Sequence, residues 1–473
     1  MTVEHPMILG GKEVLTGDLL PVVNPFTGET VACVHRAGEG EVESAITLAA
    51  RGAEAMKALP LHRRSEILTG AAVRLKDKRE HVARTISEEA GKPLRAARAE
   101  VDRAIFTFEL GASEAGRVSG EILPLDLVPW GEGARAYVER FPIGTIVAIT
   151  PFNFPLNLVA HKLSPAFASG NSVILKPSSE TPVTSLVLAG LLYDAGLPPE
   201  ALSVLPMAST LAPLLISDPR PAMVTFTGSP QVGWPLKGLA GKKKVTLELG
   251  GNAAVIVHHD WDVEDAVRKC IAGGYGYSGQ SCISVQRIYI HADGYESFKS
   301  RLIQGVRALK SGDPMKEDTD VGPLITESAA RSVEEMIREA CSNGASLLTG
   351  GDRKGSMVEP AILEGVGKNQ KIYRQEVFGP VTLLEPYEDF DRALAAVNDS
   401  DYGLQAGLFT RDAYRIRKAF ECLEVGGLVV GQASAYRIDH QPYGGAKDSG
   451  FGREGVRYAM EEMTERKVLI VTT

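Results

Sequence analysis

The chain has 473 residues, which is too long for a single hydrophobic core, so we expect two or three domains. Its formal net charge is −8 without a basic cluster, which argues against nucleic acid or an anionic membrane as a partner. Five scattered cysteines indicate a reducing compartment rather than a disulfide framework, and none has zinc-ligand spacing, so we expect no metal. The amino-terminal residues lack a signal-peptide pattern, and no apolar run reaches the ~18 residues of a membrane span. We therefore expect a cytoplasmic protein.

Short strands and turns are predicted over residues 1–40, and helical periodicity follows from Glu41 to Val118. From Ile143 onward, short apolar runs alternate with helix-like segments. We predict strands at 143–149, 172–175, 203–205, 223–226 and 244–247, and helices at 157–168, at 182–195 and from 230. This alternation is typical of a Rossmann-like, doubly wound parallel sheet, which binds a nucleotide at the carboxyl ends of its strands.

A second alternation of strands and helices runs from Ala253 to about Val430 and predicts a second α/β domain. Two strand-like segments, residues 121–140 and 455–473, belong to neither alternation. Because an unpaired strand edge promotes association, we expect both to pair across a subunit interface. The prediction is a cofactor-binding domain (1–120 and 141–251), a catalytic domain (252–447) and a small β extension (121–140 and 455–473) that forms a homo-oligomer, either a dimer or a dimer of dimers (a homotetramer).

Three side chains indicate chemistry: Asn153 between two Phe residues, Glu248 before a double glycine, and Cys282 in Gly-Gln-Ser-Cys-Ile-Ser. A thiol can attack a carbonyl, a carboxylate can activate water, and an amide can stabilise an oxyanion. Taken singly, Cys282 also suits a packed residue, Glu248 a solvated strand end and Asn153 a turn. In this order, with glycine-rich turns between them, the three indicate oxidation of an aldehyde through a thiol.

Two further features suit a nucleotide. Lys176 follows a buried strand, from which a lysine reaches a ribose or a phosphate. The run Thr227-Gly228-Ser229, with Gly233 beyond it, follows another strand and opens a helix, where backbone N–H groups suit a pyrophosphate.

Together the motifs resemble the NAD(P)-dependent aldehyde dehydrogenase superfamily over essentially the whole chain. They stand in the family's order: Pro151-Phe-Asn-Phe-Pro155, Lys176-Pro-Ser178, Phe226-Thr-Gly-Ser229, Glu248-Leu-Gly-Gly251, Gly279-Gln-Ser-Cys282, Glu376-Val-Phe-Gly-Pro380 and Pro442-Tyr-Gly-Gly445, followed by Lys447-Asp-Ser-Gly450. The resemblance implies Cys282 as the nucleophile, Glu248 as the base and Asn153 as the oxyanion donor. It also implies a thiohemiacetal and then a thioester on Cys282, which water hydrolyses to a carboxylic acid.

The resemblance further implies NAD or NADP as cofactor, with Lys176 and Glu376 on the two riboses, Ser229 near the pyrophosphate and Phe378 against the nicotinamide ribose. The implied cofactor set is Thr150, Pro151, Phe152, Lys176, Ser178, Ser179, Gly228, Ser229, Gly233, Leu249, Gly250, Glu376 and Phe378. NAD-preferring relatives often carry glutamate where this chain has Ser179, with Glu180 one position later. A small neutral residue leaves room for a 2′-phosphate, so we expect NADP to be accepted.

The run Ala435-Tyr-Arg-Ile-Asp-His440 is similar to branches that oxidise small hydroxylated or anionic aldehydes, such as lactaldehyde or glyceraldehyde 3-phosphate. Arg437 is therefore either a clamp for an anion or a member of a structural ion pair. His440, Arg103 and Ser281 are further substrate candidates.

Several alternatives remain at this stage. Succinate semialdehyde is another possible substrate. An acylating enzyme would form acyl-CoA, but branches of that kind tend to lack the glutamate at Glu248. A binding protein that has lost turnover would be expected to lose Cys282 or Glu248. A thiol hydrolase needs a histidine partner, and nothing places the pair His258-His259 against Cys282.

Overall fold

The computed structural model describes residues 3–117 and 120–472. Three predicted limits lie outside these ranges: the start of the cofactor-binding domain at residue 1, the end of the helical region at residue 118 and the end of the β extension at residue 473. The helices are α1 (Glu39–Ala58), α2 (Leu61–Asp77), α3 (Arg79–Ala90), α4 (Leu94–Glu114), α5 (Asn157–Ala168), α6 (Val183–Asp194), α7 (Ala212–Ser217), α8 (Pro230–Leu239), α9 (Val263–Tyr275), α10 (Tyr295–Arg307), α11 (Glu327–Ser342), α12 (Lys371–Arg374), α13 (Phe390–Asn398), α14 (Ala413–Cys422) and α15 (Val456–Glu462).

The strands are β1 (Val3–His5), β2 (Met7–Leu9), β3 (Lys12–Val14), β4 (Leu19–Val23), β5 (Thr30–His35), β6 (Glu121–Pro124), β7 (Ala134–Pro142), β8 (Thr145–Ile149), β9 (Ser172–Lys176), β10 (Leu202–Val204), β11 (Met223–Thr227), β12 (Lys244–Glu248), β13 (Ala254–Val257), β14 (Arg287–His291), β15 (Ser346–Thr349), β16 (Arg353–Lys354), β17 (Met357–Val358), β18 (Ala361–Glu364), β19 (Val381–Tyr387), β20 (Tyr402–Gly403), β21 (Gln405–Phe409), β22 (Gly427–Val430), β23 (Ala446–Lys447), β24 (Gly450–Phe451) and β25 (Thr464–Thr472). Among the described residues, none of the helices combines the length and apolar composition that crossing a membrane requires.

The first large sheet has the order β24-β12-β11-β8-β9-β10-β2-β3, with β12, β11, β8, β9 and β10 parallel. Successive residues of β8 point to opposite faces, so Ile146 packs in one core with α2 to α6 and Val147 packs in another with α1, α7 and α8. Helices therefore cover both faces, as the alternation predicted. The strand order reverses at β8, and such a switch point opens a ligand crevice at the carboxyl ends.

The second large sheet has the order β15-β18-β19-β14-β13-β21-β22, in which all strands except β15 are parallel. Its elements follow the predicted alternation with small shifts at the ends. Helix α9 begins at Val263 rather than at Trp261, because the Asp262 carboxylate accepts a hydrogen bond from the Asp265 N–H and caps the helix. The prediction of a mixed α/β fold is confirmed.

The third sheet has the order β25-β7-β6 and lies outside both alternations, as predicted. Strands β7 and β25 pair within one chain from Ala134↔Thr472 to Pro142↔Thr464, so these two segments pair with each other and not across an interface, which corrects the prediction, while β25 remains an edge strand of the described sheet. A second correction concerns residues 455–473, which include helix α15. Val456, Ala459 and Met460 have helical spacing and are buried in the core of the first sheet, so this part forms a helix rather than a strand.

The chain returns from the second sheet to the first through β24. Gly450 pairs with Glu248 at the carboxyl end of β12. This return brings the glycine-rich segment 442–450 across the carboxyl edge of the first sheet, where the predicted nucleotide and the predicted base lie.

Candidate active site

A cavity of about 490 Å³ is lined by residues from both large sheets. The first sheet contributes the loop after β8 and the carboxyl ends of β11 and β12. The second contributes the turn before β14 and the segment after α12. Asn153, Glu248 and Cys282 all line this cavity, so the fold brings together the three side chains that the sequence singled out.

Two glycines allow the Cys282 turn to sit against the first sheet. A Cβ at Gly251 would lie 2.1 Å from the Cys282 carbonyl oxygen, and one at Gly279 would lie 2.0 Å from the Gly379 oxygen. Gly279 also has a φ of 70°, which L side chains rarely adopt. The glycines of the two motifs therefore position the thiol through close backbone packing.

The Cys282 thiol lies 3.3 Å from the phenolic oxygen of Tyr443. Burial raises the pKa of the Cys282 thiol to about 12, and the hydrogen bond with Tyr443 opposes this rise. Burial also raises the pKa of Tyr443 well above its ordinary value, so the phenol keeps its proton and can donate a hydrogen bond to the Cys282 sulfur. Sequence reasoning included Tyr443 in a motif but assigned it no role.

Glu248 is the last residue of β12 and is only 3% exposed. Neither of its oxygens has a hydrogen-bond partner among the described residues. Burial raises the pKa of Glu248 well above its ordinary value, and the negative charge of Glu454 raises it further, whereas Arg437 and Lys162 act in the opposite direction. Glu248 therefore has the raised proton affinity that suits a general base.

Glu454 is a second buried carboxylate beside the cavity, and the sequence analysis missed it. Lys162 Nζ donates to Glu454 Oε1 at 2.9 Å, and Arg437 lies 3.4 Å from Oε2. Burial alone would raise the pKa of Glu454, but these two cations outweigh it and lower the pKa to about 2. The two carboxylates are thus pushed apart in pKa, which leaves Glu454 ionised and Glu248 available for protons.

Asn153 links the loop after β8 to the Cys282 turn. Its Nδ2 donates to the carbonyl oxygen of Gln280 at 3.0 Å. Gln280 is itself held by the Ile325 N–H, which donates to its Oε1 at 2.9 Å. A side-chain amide has two N–H donors, so the second remains available for an oxyanion.

The predicted substrate residues divide into two groups. Arg437, Arg103 and Ser281 line the cavity. Arg103 is already paired with Asp439, at 2.7 and 3.1 Å, whereas the Arg437 guanidinium stacks over the Tyr443 ring at 3.6 Å and its Nε has no partner among the described residues. His440 does not line the cavity.

The exposed ring of His440 lies against Phe106, with 6.2 Å between the ring centroids. The preceding residue, Asp439, points inward and accepts hydrogen bonds from Arg103, Asn157 and His161. Because Asp439 points inward, His440 lies at the surface. The prediction that His440 contacts the substrate is therefore not supported by its position outside the cavity lining.

Most of the predicted cofactor residues surround the same cavity: Pro151, Phe152, Gly228, Ser229, Leu249, Gly250, Glu376 and Phe378. Thr150 and Lys176 lie behind them and are joined through the Thr150 N–H, which donates to the Lys176 carbonyl at 3.2 Å. A Cβ at Gly233 would lie 2.5 Å from a Leu249 methyl, so this glycine allows helix α8 to approach the end of β12. Ser178 and Ser179 lie at a half-buried surface beside Lys176, outside the cavity lining.

Lys176 and Glu376 fit a polyhydroxylated ligand. Lys176 is buried, and among the described residues Nζ donates only to the neighbouring Pro177 carbonyl at 3.3 Å, although an ammonium group has three donors. Burial lowers the pKa of Lys176 and raises that of Glu376 to about 7, while the Gly251 N–H donates to Glu376 at 3.0 Å. Both side chains therefore retain hydrogen-bonding capacity toward a bound molecule.

Comparison with known proteins identifies the family. Residues 15–469 match the model of the aldehyde dehydrogenase family. The chain is 43% identical over 470 residues to a 3-sulfolactaldehyde dehydrogenase of Priestia aryabhattai, which covers 99% of this chain and 98% of that protein.

Two solved structures are also similar. Aldehyde dehydrogenase 21 of Physcomitrella patens, in complex with the reaction product succinate, is 43% identical with a TM-score of 0.98, covering 100% of this chain and 99% of that one. The glyceraldehyde-3-phosphate dehydrogenase of Methanocaldococcus jannaschii, complexed with NADP, is 37% identical with a TM-score of 0.93, covering 96% and 99%. The predicted resemblance is confirmed: the chain belongs to the aldehyde dehydrogenase family and is an enzyme.

Proposed function

We propose that this enzyme oxidises a small anionic aldehyde to the carboxylic acid with NAD or NADP, through a covalent intermediate on Cys282. The observation that carries the proposal is one cavity that holds a thiol, a carboxyl group of raised pKa, an amide with a spare N–H donor and an arginine whose Nε has no partner in the described part of the chain. These groups match nucleophile, base, oxyanion donor and anion clamp.

The first step is attack of Cys282 sulfur on the aldehyde carbon. Because the pKa of the thiol is about 12, it rests protonated and must lose its proton as the S–C bond forms. Glu248 accepts that proton, and Tyr443 donates a hydrogen bond to the sulfur. The aldehyde oxygen becomes an oxyanion, which the second N–H of Asn153 stabilises together with the backbone N–H of Cys282.

When bound, the cofactor would accept the hydride that leaves the former aldehyde carbon, and this loss converts the adduct on Cys282 into a thioester. Lys176 and Glu376 would bind its ribose hydroxyls, Ser229 at the start of α8 would face its pyrophosphate, and Phe378 would contact its nicotinamide end. Ser179 is small and neutral and leaves room for a 2′-phosphate, and the Glu180 carboxylate accepts a hydrogen bond from the Ser178 hydroxyl, although its negative charge still opposes the lowering of the Lys176 pKa by burial. We therefore expect both NAD and NADP to be used.

The last step is hydrolysis of the thioester. Glu248 first releases to solvent the proton that it took from the thiol. It then removes a proton from water, the water oxygen bonds to the acyl carbon, and the S–C bond breaks to release the acid and the Cys282 thiolate, which takes up a proton. A base in the cavity favours water over coenzyme A as the acceptor, so we favour a hydrolytic enzyme over the acylating alternative.

The substrate class follows from Arg437. Its guanidinium has five N–H donors, yet among the described residues its only hydrogen bond is a long one of 3.4 Å to Glu454. The names of the similar proteins point to sulfolactaldehyde, succinate and glyceraldehyde 3-phosphate, which are short carbon chains that end in an anion. We propose that Arg437 binds the sulfonate, carboxylate or phosphate of such an aldehyde. A neutral hydroxylated aldehyde such as lactaldehyde is the second candidate, which Ser281 would suit.

Steady-state reduction of NAD and of NADP tests the proposal across 3-sulfolactaldehyde, succinate semialdehyde, glyceraldehyde 3-phosphate, lactaldehyde and propanal. Cys282→Ala should abolish turnover with every aldehyde. Arg437→Gln should lower kcat/KM for the best anionic aldehyde about 10- to 100-fold more than for propanal, the equivalent of ~1.5–3 kcal/mol for a charged hydrogen bond. The loss with propanal measures the effect of Arg437 on Glu248 and Tyr443. Arg95→Gln, an exposed arginine paired with Asp320, is the matched control. An equal loss with anionic and neutral aldehydes would contradict the clamp.

A further inference from the structure

Three histidines converge at the carboxyl ends of β13 and β14, away from the cavity. His258 and His259 directly follow β13, and His291 is the last residue of β14. These strands are parallel neighbours, paired from Ala254↔Arg287 to Val257↔Ile290, so the residues that follow them meet at one edge of the second sheet. One ring nitrogen from each histidine lies within 4.8 Å of the other two.

This cluster is separate from the candidate active site. Cys282 precedes the amino end of β14, whereas His291 stands at its carboxyl end. Five extended residues span roughly 16 Å at ~3.3 Å per residue, and none of the three histidines lines the cavity. Any ligand of this cluster would therefore not touch the reacting groups.

The hydrogen bonds of the two inner rings leave one nitrogen open on each. His258 Nδ1 lies 2.9 Å from the Tyr387 hydroxyl, whereas its Nε2 is buried and has no partner among the described residues. His291 Nδ1 accepts from the Asp293 N–H at 3.3 Å and lies 3.5 Å from the Asp293 carboxylate. Binding of a cation through Nε2 therefore requires the ring proton to move to Nδ1, where this carboxylate can accept a hydrogen bond from it. A buried polar atom without a partner costs free energy, so the orphan Nε2 of His258, only 3% exposed, itself calls for a ligand.

We propose that His258, His259 and His291 bind a divalent transition-metal cation that favours imidazole, such as Zn²⁺, and that this ion links the ends of β13 and β14. Three histidines and an open position form a common coordination set for such ions. In metal sites the second ring N–H of each ligand donates to an oxygen acceptor, and here the Tyr387 hydroxyl lies 2.9 Å from His258 Nδ1 and the Asp293 carboxylate lies 3.5 Å from His291 Nδ1. The proposal departs from the absence of a metal expected from cysteine spacing.

The geometry requires only a small movement. Zinc–nitrogen bonds of ~2.0–2.1 Å in a tetrahedral site place the ligand nitrogens ~3.3 Å apart, so nitrogens now within 4.8 Å must close by up to about 1.5 Å. His259 is exposed and free to turn about its side-chain bonds. The carboxylates of Asp260 and Asp293 favour a cation here, and Arg415, which is paired with Asp412, opposes it.

Metal titration of the full chain without a histidine tag tests the proposal. Cys282→Ser serves as the parent so that the thiol does not compete for the ion. Calorimetry with Zn²⁺ should show one saturable site per chain, and Co²⁺ should give the visible absorption of an imidazole-rich site. His259→Ala and His291→Ala should each weaken binding at least ~10-fold, and Tyr387→Phe, which keeps all three ligands, should weaken it ~10-fold or more.

His62→Ala removes an exposed histidine of α2 and is the matched control, which should bind as the parent does. Because a ligand stabilises the state that binds it, Zn²⁺ at one fixed concentration should raise the thermal unfolding temperature of the parent more than that of His259→Ala. Equal affinity in the parent, His259→Ala and His291→Ala would overturn the proposal, as would a titration of the parent without a saturable site. Either result would mean that the three histidines only pack against one another and do not bind a metal ion.

Discussion

Replacing Tyr443 by phenylalanine tests how the structure controls the reactivity of the thiol. The change removes the hydroxyl that lies 3.3 Å from Cys282 Sγ and keeps the ring on which Arg437 stacks. A hydrogen bond to a charged group contributes ~1.5–3 kcal/mol, and one pKa unit corresponds to ~1.4 kcal/mol. Loss of this donor should therefore raise the pKa of Cys282 by about 1–2 units above its already raised value.

The rate of alkylation by iodoacetamide measures this change directly. A pH of about 8 is far below the pKa of the Cys282 thiol, so each further unit of pKa lowers the thiolate fraction tenfold. The remaining thiolate becomes more nucleophilic as its pKa rises, with a Brønsted slope of ~0.4–0.5. The net effect is a fall in the alkylation rate of about 3- to 4-fold for a rise of one pKa unit and about 10- to 16-fold for a rise of two. Peptide mass spectrometry resolves Cys282 from the exposed Cys422, which is an internal reference in every sample.

Tyr414→Phe, at a tyrosine that is 88% exposed, controls for the loss of a hydroxyl as such and should leave the alkylation rate unchanged. kcat/KM of Tyr443→Phe should fall in parallel with alkylation if thiol ionisation limits attack. A change in the Cys282 alkylation rate of less than about twofold would refute the reasoning, because it would mean that the hydroxyl does not stabilise the thiolate.

Three further predictions concern the base, the buried ion pair and the exposed strand. Because Glu248 acts as a base only when ionised and its pKa is raised, turnover should rise as the pH passes upward through that pKa. Glu248→Gln should lose this rise and slow both the attack and the hydrolysis, and the acyl groups that still form should remain on Cys282 as a thioester, detected by intact mass spectrometry. Lys162→Met leaves the buried Glu454 without its main partner and should destabilise the fold by ~3–5 kcal/mol in urea unfolding, whereas Lys162→Met with Glu454→Leu should recover most of the loss. Leu469→Asp should weaken self-association, measured by light scattering, because β25 is an edge strand with exposed apolar residues. Leu127→Asp, at a loop leucine that is 87% exposed, is the control and should leave self-association unchanged. Equal effects of the two substitutions would contradict an interface at β25.

Local patterns in the sequence predicted most of the elements. Helix α5 matches the predicted range 157–168, and strands β8, β9, β11 and β12 lie within one or two residues of their predicted limits, since apolar periodicity is a local property that burial then enforces. The exception is α15, because the segment 455–473, predicted as strand, begins with this helix. Seven residues are too few for periodicity to separate a helix from a strand, so packing against the first domain decides.

The sequence by itself determined the family, the order of its motifs and the three reactive residue types, because these depend on which side chains and glycines are present. It also indicated Arg437 as either an anion clamp or a member of an ion pair, and it suggested His440 as a weaker candidate, which does not line the cavity. The catalytic roles of Cys282, Glu248 and Asn153 stay predictions that the proposed kinetics test.

Only the tertiary structure decided the electrostatics of the site. Lys162 and Glu454 are 292 residues apart in the chain, and Tyr443 and Cys282 are 161 apart, so no local pattern links them. The same holds for His291, which joins His258 and His259 only because β13 and β14 are neighbours in the sheet. A pKa depends on burial and on the charges that folding brings near, and both are properties of the packed chain rather than of its sequence order.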